Sequence, residues 1–242
     1  RDLHPFPTRR SSDLALSDAD TAKLVAFGKE HDLAILLQPG GPDSVHALWP
    51  ETVHLAFRIE QADVDIAFRP LDFVQVNAGL NRRMIARALD LLDPTRDDRV
   101  LDLFCGLGNF TLPVARRAGS VVGVEGEAKL VARARENAVA NGIANAEFAA
   151  ADLAADQRGA PWAVRDYDKL LLDPPRSGAA AVLEYLPRKS TKRIVYVSCH
   201  PGSLARDAGT LVQQHGFTLM AAGVMDMFPH TAHVESIALF ER

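Results

Sequence analysis

The chain has little cysteine, little net charge and no long apolar run, and each shortage removes a class of protein. Only Cys105 and Cys199 occur in 242 residues, too few for a disulfide framework and in keeping with a reducing cytoplasm. No apolar stretch approaches the roughly 20 residues that cross a bilayer, so no membrane association is expected. The 27 Lys and Arg stand against 31 Asp and Glu, a net −4. That balance does not advertise nucleic-acid binding, although a local basic face is compatible with it. A hydrophobic share of 48% beside 24% charged residues is that of a globular protein and excludes wholesale disorder. The length suits one large domain, or an ordinary domain plus a small one.

Residues 1–14 (RDLHPFPTRRSSDL) carry two prolines, a basic pair and no helical or strand period. They lack the apolar core of a secretory signal, and their two acids argue against a transit peptide. They read as a non-native or disordered leader. From Ser17 the pattern changes. Ser17 and Asp18 can cap a helix that carries Leu24, Val25 and Phe27 toward a core and ends near His31. Short strand-like runs follow at 33–38, 45–49, 53–59 and 64–69, the first two separated by Pro39-Gly40-Gly41-Pro42-Asp43. Residues 15–72 thus read as a small α+β unit, and 73–242 as a second domain.

In that second domain a helix is expected over 77–92, with Met84, Ile85, Ala88, Leu89 and Leu92 on one stripe. Strands are expected at 99–103, 120–125, 146–149, 169–172, 193–198, 217–225 and 234–240, with helices at 110–118, 127–141, 179–186 and 203–215. Apolar strands alternating with helices imply a mostly parallel sheet covered on both faces. The last two strands follow each other without a helix and suit an antiparallel hairpin. Seven strands with the last antiparallel is the methyltransferase version of the doubly wound, Rossmann-like α/β fold.

Four motifs carry chemistry. The first, Leu101-Asp102-Leu103-Phe104-Cys105-Gly106-Leu107-Gly108-Asn109-Phe110, is a strand entering a glycine-rich turn that opens a helix. Glu125 ends the next strand, placed to accept hydrogen bonds from the two hydroxyls of a ribose. Thr111 stands where a dinucleotide site needs a third glycine, and no Walker lysine is present. A nucleoside cofactor without pyrophosphate fits, and S-adenosylmethionine is one. The second motif, Asp173-Pro174-Pro175-Arg176, fixes the backbone so that Asp173 points into the cleft. Arg176 replaces the aromatic residue that amino-group methyltransferases place there, which argues against nitrogen as methyl acceptor. The third, Ser198-Cys199-His200-Pro201, puts a cysteine at the carboxyl edge of the sheet, near a helix N-terminus that favours thiolate. Cys199 reads as a nucleophile, with His200 either assisting or packing, and Cys105 as a buried filler. The fourth is Phe228-Pro229-His230-Thr231-Ala232-His233-Val234-Glu235. It lacks a third convergent ligand for a metal, and Glu235 reads as a base facing the cleft.

Taken together with Phe73-Val74-Gln75-Val76-Asn77, these ordered motifs resemble the RNA 5-methyluridine (uracil-carbon-5) methyltransferases, above all those acting on bacterial 23S ribosomal RNA. The resemblance covers essentially everything after Ser17. It implies cofactor contacts from Gln75, Phe104, Asn109 and Glu125, with Asp152 beside the adenine and Asp173 near the methionine end. It also assigns Cys199 as nucleophile and Glu235 as base, with S-adenosyl-L-methionine as cofactor, 23S rRNA as partner, no metal and a cytoplasmic monomer. Full-length members carry an N-terminal RNA-binding barrel and four cysteines for an iron–sulfur cluster. This chain matches their central and catalytic parts, and weak RNA binding is expected of it. Arg82, Arg83, Arg176, Arg188, Lys189, Lys192 and Arg193 are candidate phosphate contacts, with a solvated face as the plainer reading of each. A transfer-RNA uracil enzyme would share every motif, whereas a 5-methylcytosine enzyme would place a second cysteine where Pro175 stands. An idle RNA-binding module would not need Cys199 and Glu235.

Overall fold

A computed structural model describes residues 15–186, 190–231 and 233–242. The leader at 1–14 therefore lies outside the described residues, as do Arg188 and Lys189. The chain divides into two compact units, one of residues 1–55 and 69–71 and a larger one of 56–68 and 72–242. Residues 56–68 thus group with the larger unit.

In the smaller unit, helix α1 (Asp18–His31) precedes strands β1 (Ile35–Leu37) and β2 (His46–Trp49), which pair antiparallel. Ser17 caps α1 by accepting from the Asp20 N–H. Asp18 and Asp20 in the first turn and Lys29 and His31 in the last complement the helix dipole. The expected packing of Phe27 is not found, since its side chain is 49% exposed, and Leu24 and Val25 are only partly buried. The buried position of α1 is Gly28 instead. A Cβ there would lie 2.9 Å from Ile35 Cγ1 and 3.2 Å from the Trp49 ring, so the two strands approach the helix at the one residue without a side chain.

The larger unit is built on a seven-stranded sheet. Its strands are β5 (Arg99–Leu103), β6 (Ser120–Glu125), β7 (Ala146–Ala150), β8 (Lys169–Leu172), β9 (Arg193–Ser198), β10 (Thr218–Met225) and β11 (Glu235–Glu241). The order is β10-β11-β9-β8-β5-β6-β7, with β11 antiparallel to both neighbours and the other pairs parallel. This is the doubly wound α/β sheet expected from the sequence. Successive strand residues face opposite cores. Val100, Leu171, Val195 and Val197 belong to one apolar cluster, and Leu101, Leu103, Leu170, Leu172, Ile194 and Tyr196 to the other. A two-residue period with both faces apolar is what a sheet covered on both sides requires.

Helix α2 (Ala78–Leu92), capped by the Asn77 side chain accepting from the Leu80 N–H, buries Met84, Ile85, Ala88, Leu89 and Leu92 in the first cluster. Helices α3 (Thr111–Ala115) and α4 (Ala128–Ala140) follow β5 and β6, and α5 (Ala180–Leu183) and α6 (Pro201–Gln213) follow β8 and β9. Strands β3 (Leu55–Ile59) and β4 (Val64–Phe68) form a separate hairpin. Two asparagines hold it to the sheet domain. The Asn137 amide exchanges bonds of 2.9 and 3.1 Å with the Ala67 backbone, and Asn141 exchanges bonds of 2.8 and 2.7 Å with Asp65. Spaced four apart, Asn137 in the last turn of α4 and Asn141 at its C-cap, they take the place of a partner strand at the β4 edge. Among the described residues no helix is long and apolar enough to cross a membrane.

Candidate active site

In a parallel sheet, residues just past the strand ends collect at one edge. Phe104, Glu125, Asp152, Asp173 and Cys199 stand at or just beyond the ends of β5, β6, β7, β8 and β9. Strand β11 runs the other way, so its first residue, Glu235, lies at that same edge. The pairing of Ser236 with Ser198 places Glu235 across from Cys199. These six residues, together with Gln75 and Asn109, border one cavity of about 590 Å³ within the larger unit. All eight site residues named from the sequence are therefore brought together.

The β5–β6–β7 side of the cavity is held by backbone geometry. Phe104 adopts φ 66°, and Gly106 and Gly108 have φ of 53° and 91°. The Phe104 and Cys105 N–H groups both donate to the Val124 carbonyl, which curls the chain back over β6. A Cβ on Gly106 would meet nothing within 4 Å, so the loop leaves room on that side. Glu125 accepts from the Gly106 N–H at 3.1 Å and the Glu127 N–H at 3.0 Å, one bond to each oxygen. Each oxygen keeps a second lone pair for a ligand hydroxyl. Asn109 and Asn81 exchange amide bonds, both 3.1 Å, joining the loop to α2. Thr111 has a task that the glycine pattern did not reveal. Its hydroxyl donates to Asp102 at 2.5 Å, and burial raises that carboxyl to about 7.

The β8–β9–β11 side is different in kind. Burial, with Glu235 and Asp102 adding to it, pushes the Asp173 carboxyl to about 8. Burial also raises Glu235, whose side chain is 3% exposed. The expectation of a thiolate favoured by a helix N-terminus is not met at Cys199. Its thiol is raised, first by burial and then by the facing Glu235 and Asp173, with Arg176 acting in the opposite sense. His200 caps α6, its Nδ1 accepting from the Ser203 N–H at 3.1 Å, so the cap is a neighbour and not the sulfur. His200 is absent from the cavity wall and packs as a cap. Cys105 borders the cavity too but is buried, and a Cβ on Gly123 would come within 2.9 Å of its sulfur, so it is packed closely against β6.

Sequence reasoning missed the apolar lining. Phe57 from the β3–β4 hairpin, Leu130 from α4 and Leu153 beyond β7 all border the cavity. No local pattern distinguishes them from core residues. Of the candidate phosphate contacts, Arg82 is paired with Glu60 at 2.8 Å and Arg193 with Glu241 at 2.5 Å. Arg176 remains at the cavity, in contact with His233.

Residues 47–242 match the family described as tRNA (Uracil-5-)-methyltransferase. The chain belongs to this family. It is 68% identical over 94% of its length to the 23S rRNA (uracil(1939)-C(5))-methyltransferase RlmD of Xanthomonas oryzae pv. oryzae, strain MAFF 311018, covering 51% of that protein. The protein of the same description from Stenotrophomonas maltophilia, strain K279a, shows the same identity and coverage. The chain thus spans about half the length of the curated relatives it matches. Among solved structures, the Pyrococcus abyssi tRNA (uracil-54, C5)-methyltransferase in complex with S-adenosyl-L-homocysteine superposes with TM-score 0.66 at 30% identity. That match covers 77% of this chain and 44% of the archaeal one. M. jannaschii TYW2 in complex with AdoMet, at TM-score 0.60 and 17% identity over 86% of this chain and 93% of its own, shares the fold. Family membership accounts for the ordered motifs that the sequence alone displayed.

Proposed function

We propose that this chain methylates carbon 5 of a uridine in 23S ribosomal RNA, with S-adenosylmethionine as methyl donor and Cys199 as covalent nucleophile. The observation that carries the reading is the placement of Glu235 across from Cys199, in the same cavity as the glycine loop and Glu125. The curated relatives at 68% identity, named for 23S rRNA, favour that RNA over a transfer RNA. All eight site residues come from one chain, so a monomer suffices.

The glycine-loop side fits the nucleoside part of the donor. Gly106 leaves space beside it, Glu125 has free lone pairs for ribose hydroxyls, and Leu130 and Leu153 supply apolar walls for a base. Asp152 borders the cavity next to Leu153 and is assigned to the adenine, and Asp173, which borders it with Cys199, to the methionine end. Gln75, Phe104 and Asn109 line the remainder. When bound, the cofactor supplies an electrophilic methyl group on a sulfonium.

Carbon 5 of uracil is too weak a nucleophile unaided. Cys199 Sγ, once deprotonated, adds to carbon 6 and drives the electron pair of the ring double bond toward carbon 5 and O4. Carbon 5 then takes the methyl group. Glu235 removes the carbon 5 proton, the ring double bond reforms, and the Cys199–carbon 6 bond breaks with its electron pair returning to sulfur. A raised carboxyl is suited to this step, because a base with an acidity nearer the working pH takes and releases a proton more readily. The target base has to leave its stack to reach the cavity. Mass spectrometry of ribosomal and transfer RNA digests, after incubation with the chain and isotopically labelled donor, tests the reading. Labelled 5-methyluridine in a 23S fragment is expected. Label confined to transfer RNA would move the substrate, and none at all would contradict the activity.

A further inference from the structure

The histidines of the 228–236 segment take no part in the chemistry above, yet His233 ties that segment to the cavity. Arg176 Nη1 lies 3.0 Å from His233 Nδ1. A guanidinium only donates and stays protonated in proteins, so His233 offers Nδ1 as the acceptor and carries its ring proton on Nε2. We infer that His233 is a positioning residue whose imidazole holds the Arg176 guanidinium at the Cys199 end of the cavity. The inference rests on the reading of Cys199 as nucleophile.

Arg176 borders the cavity with Cys199, Asp173 and Glu235. The sulfur faces two carboxyl groups, Glu235 from β11 and Asp173 beyond β8; Glu235 disfavours the thiolate, and Asp173 adds to this as it ionises toward pH 8 and above. Arg176 is the charge that opposes them. An exposed arginine with no fixed partner spreads over many rotamers, and its field at any one atom is diluted accordingly. His233 removes that freedom because it is itself held. Its N–H donates to Thr231 Oγ1 at 3.2 Å, and its ring stands edge-on to Phe228 at 6.2 Å between centroids. It also lies two residues before Glu235, whose place opposite Cys199 is set by strand register. The arginine anchor and the base therefore ride on the same stretch of backbone.

Alkylation of Cys199 by iodoacetamide, followed peptide by peptide by mass spectrometry across pH, reads the thiolate directly and needs neither RNA nor methyl donor. His233→Ala is expected to slow alkylation near neutral pH about threefold and move the profile to higher pH, the scale of an exposed, screened charge. His233→Asn, whose Oδ1 can occupy the place of Nδ1, restores the profile. His233→Gln, whose acceptor sits one bond further out, does not. Arg176→Ala matches His233→Ala, and the double variant adds nothing further. A Cys199 profile unchanged in His233→Ala overturns the inference, as do equal profiles for the Asn and Gln variants. That pair keeps the test decisive if alanine disturbs the loop. In turnover, the His233→Ala loss falls on kcat with the RNA KM unchanged, and a raised KM without a profile shift overturns the inference. Failure of the RNA digest with these alkylation results intact would instead count against the proposed substrate.

Discussion

Glu125 and Glu235 stand at the same edge of one sheet, border one cavity and are the same residue type, yet their surroundings differ. Glu125 has a backbone N–H on each oxygen, from Gly106 and Glu127. Glu235 is enclosed, its pKa is raised by burial, and it faces Cys199. A carboxylate held by two backbone donors has a fixed direction and suits binding. One that is desolvated and raised suits proton transfer. The β5–β6–β7 side therefore reads as the side that holds, and the β8–β9–β11 side as the side that reacts.

The comparison breaks most visibly at the sulfur. Cys199→Ala is expected to abolish product, a loss above roughly 10³-fold, because it removes the sulfur that adds to carbon 6. Labelled methyl incorporation into RNA is the measurement. Glu235→Gln keeps the shape but removes the base, so turnover should fall by roughly 10²–10⁴-fold. This variant should accumulate a protein–RNA complex that survives denaturing electrophoresis, since the carbon 5 proton stays and elimination stalls. Normal turnover by Glu235→Gln would mean that the base is another group. On the holding side the expected effect is smaller and of another kind. Glu125→Ala leaves the Gly106 and Glu127 N–H groups without their acceptor and should weaken S-adenosylhomocysteine binding by about 1–3 kcal/mol in calorimetry. It should leave the Cys199 alkylation rate unchanged.

The smallest expected effect is on stability. Asp173 holds its proton up to about pH 8 in the fold, against an ordinary value of 3.8. Between those values the folded state binds the extra proton, so stability is fullest below the lower value and declines as pH rises through the window. Asp102, raised to about 7, adds a decline of the same sign over a narrower range. Asp173→Asn should flatten the upper part of that slope and raise the melting temperature near pH 9 by a few degrees, on the order of what 1 kcal/mol gives a chain of this size. A slope unchanged in the variant would mean that Asp173 is not the group holding the proton.

Strand and helix positions in the larger unit were legible because each strand is an apolar run bounded by turn residues and α2 carries a clean stripe. Four site residues were legible for a related reason: Glu125, Asp173, Cys199 and Glu235 each stand at or next to the end of a strand. Gln75, Phe104, Asn109 and Asp152 were legible only through the resemblance of the ordered motifs to a family. What stayed hidden depends on contacts distant in sequence. Nothing local shows that Asn137 and Asn141 would pair with β4 and carry Phe57 to the cavity wall. Thr111 reads locally as a missing glycine, and only the fold brings its hydroxyl onto Asp102. Nothing local shows that burial, and after it two facing carboxyl groups, raises the Cys199 thiol, or that His200 takes the cap of α6. Phe27 misled because the close approach in the smaller unit is made at Gly28.

The most direct test of the division between the two sides is to trap the reaction with RNA carrying 5-fluorouridine at the target, since fluorine cannot leave as a cation. The unmodified chain, with S-adenosylmethionine present, should form a complex stable to denaturation, and peptide mapping should place the RNA on Cys199. Cys105→Ala should give the same complex, because that sulfur is 4% exposed and packed against Gly123. A complex mapped to Cys105, or one that persists in Cys199→Ala, would contradict the account.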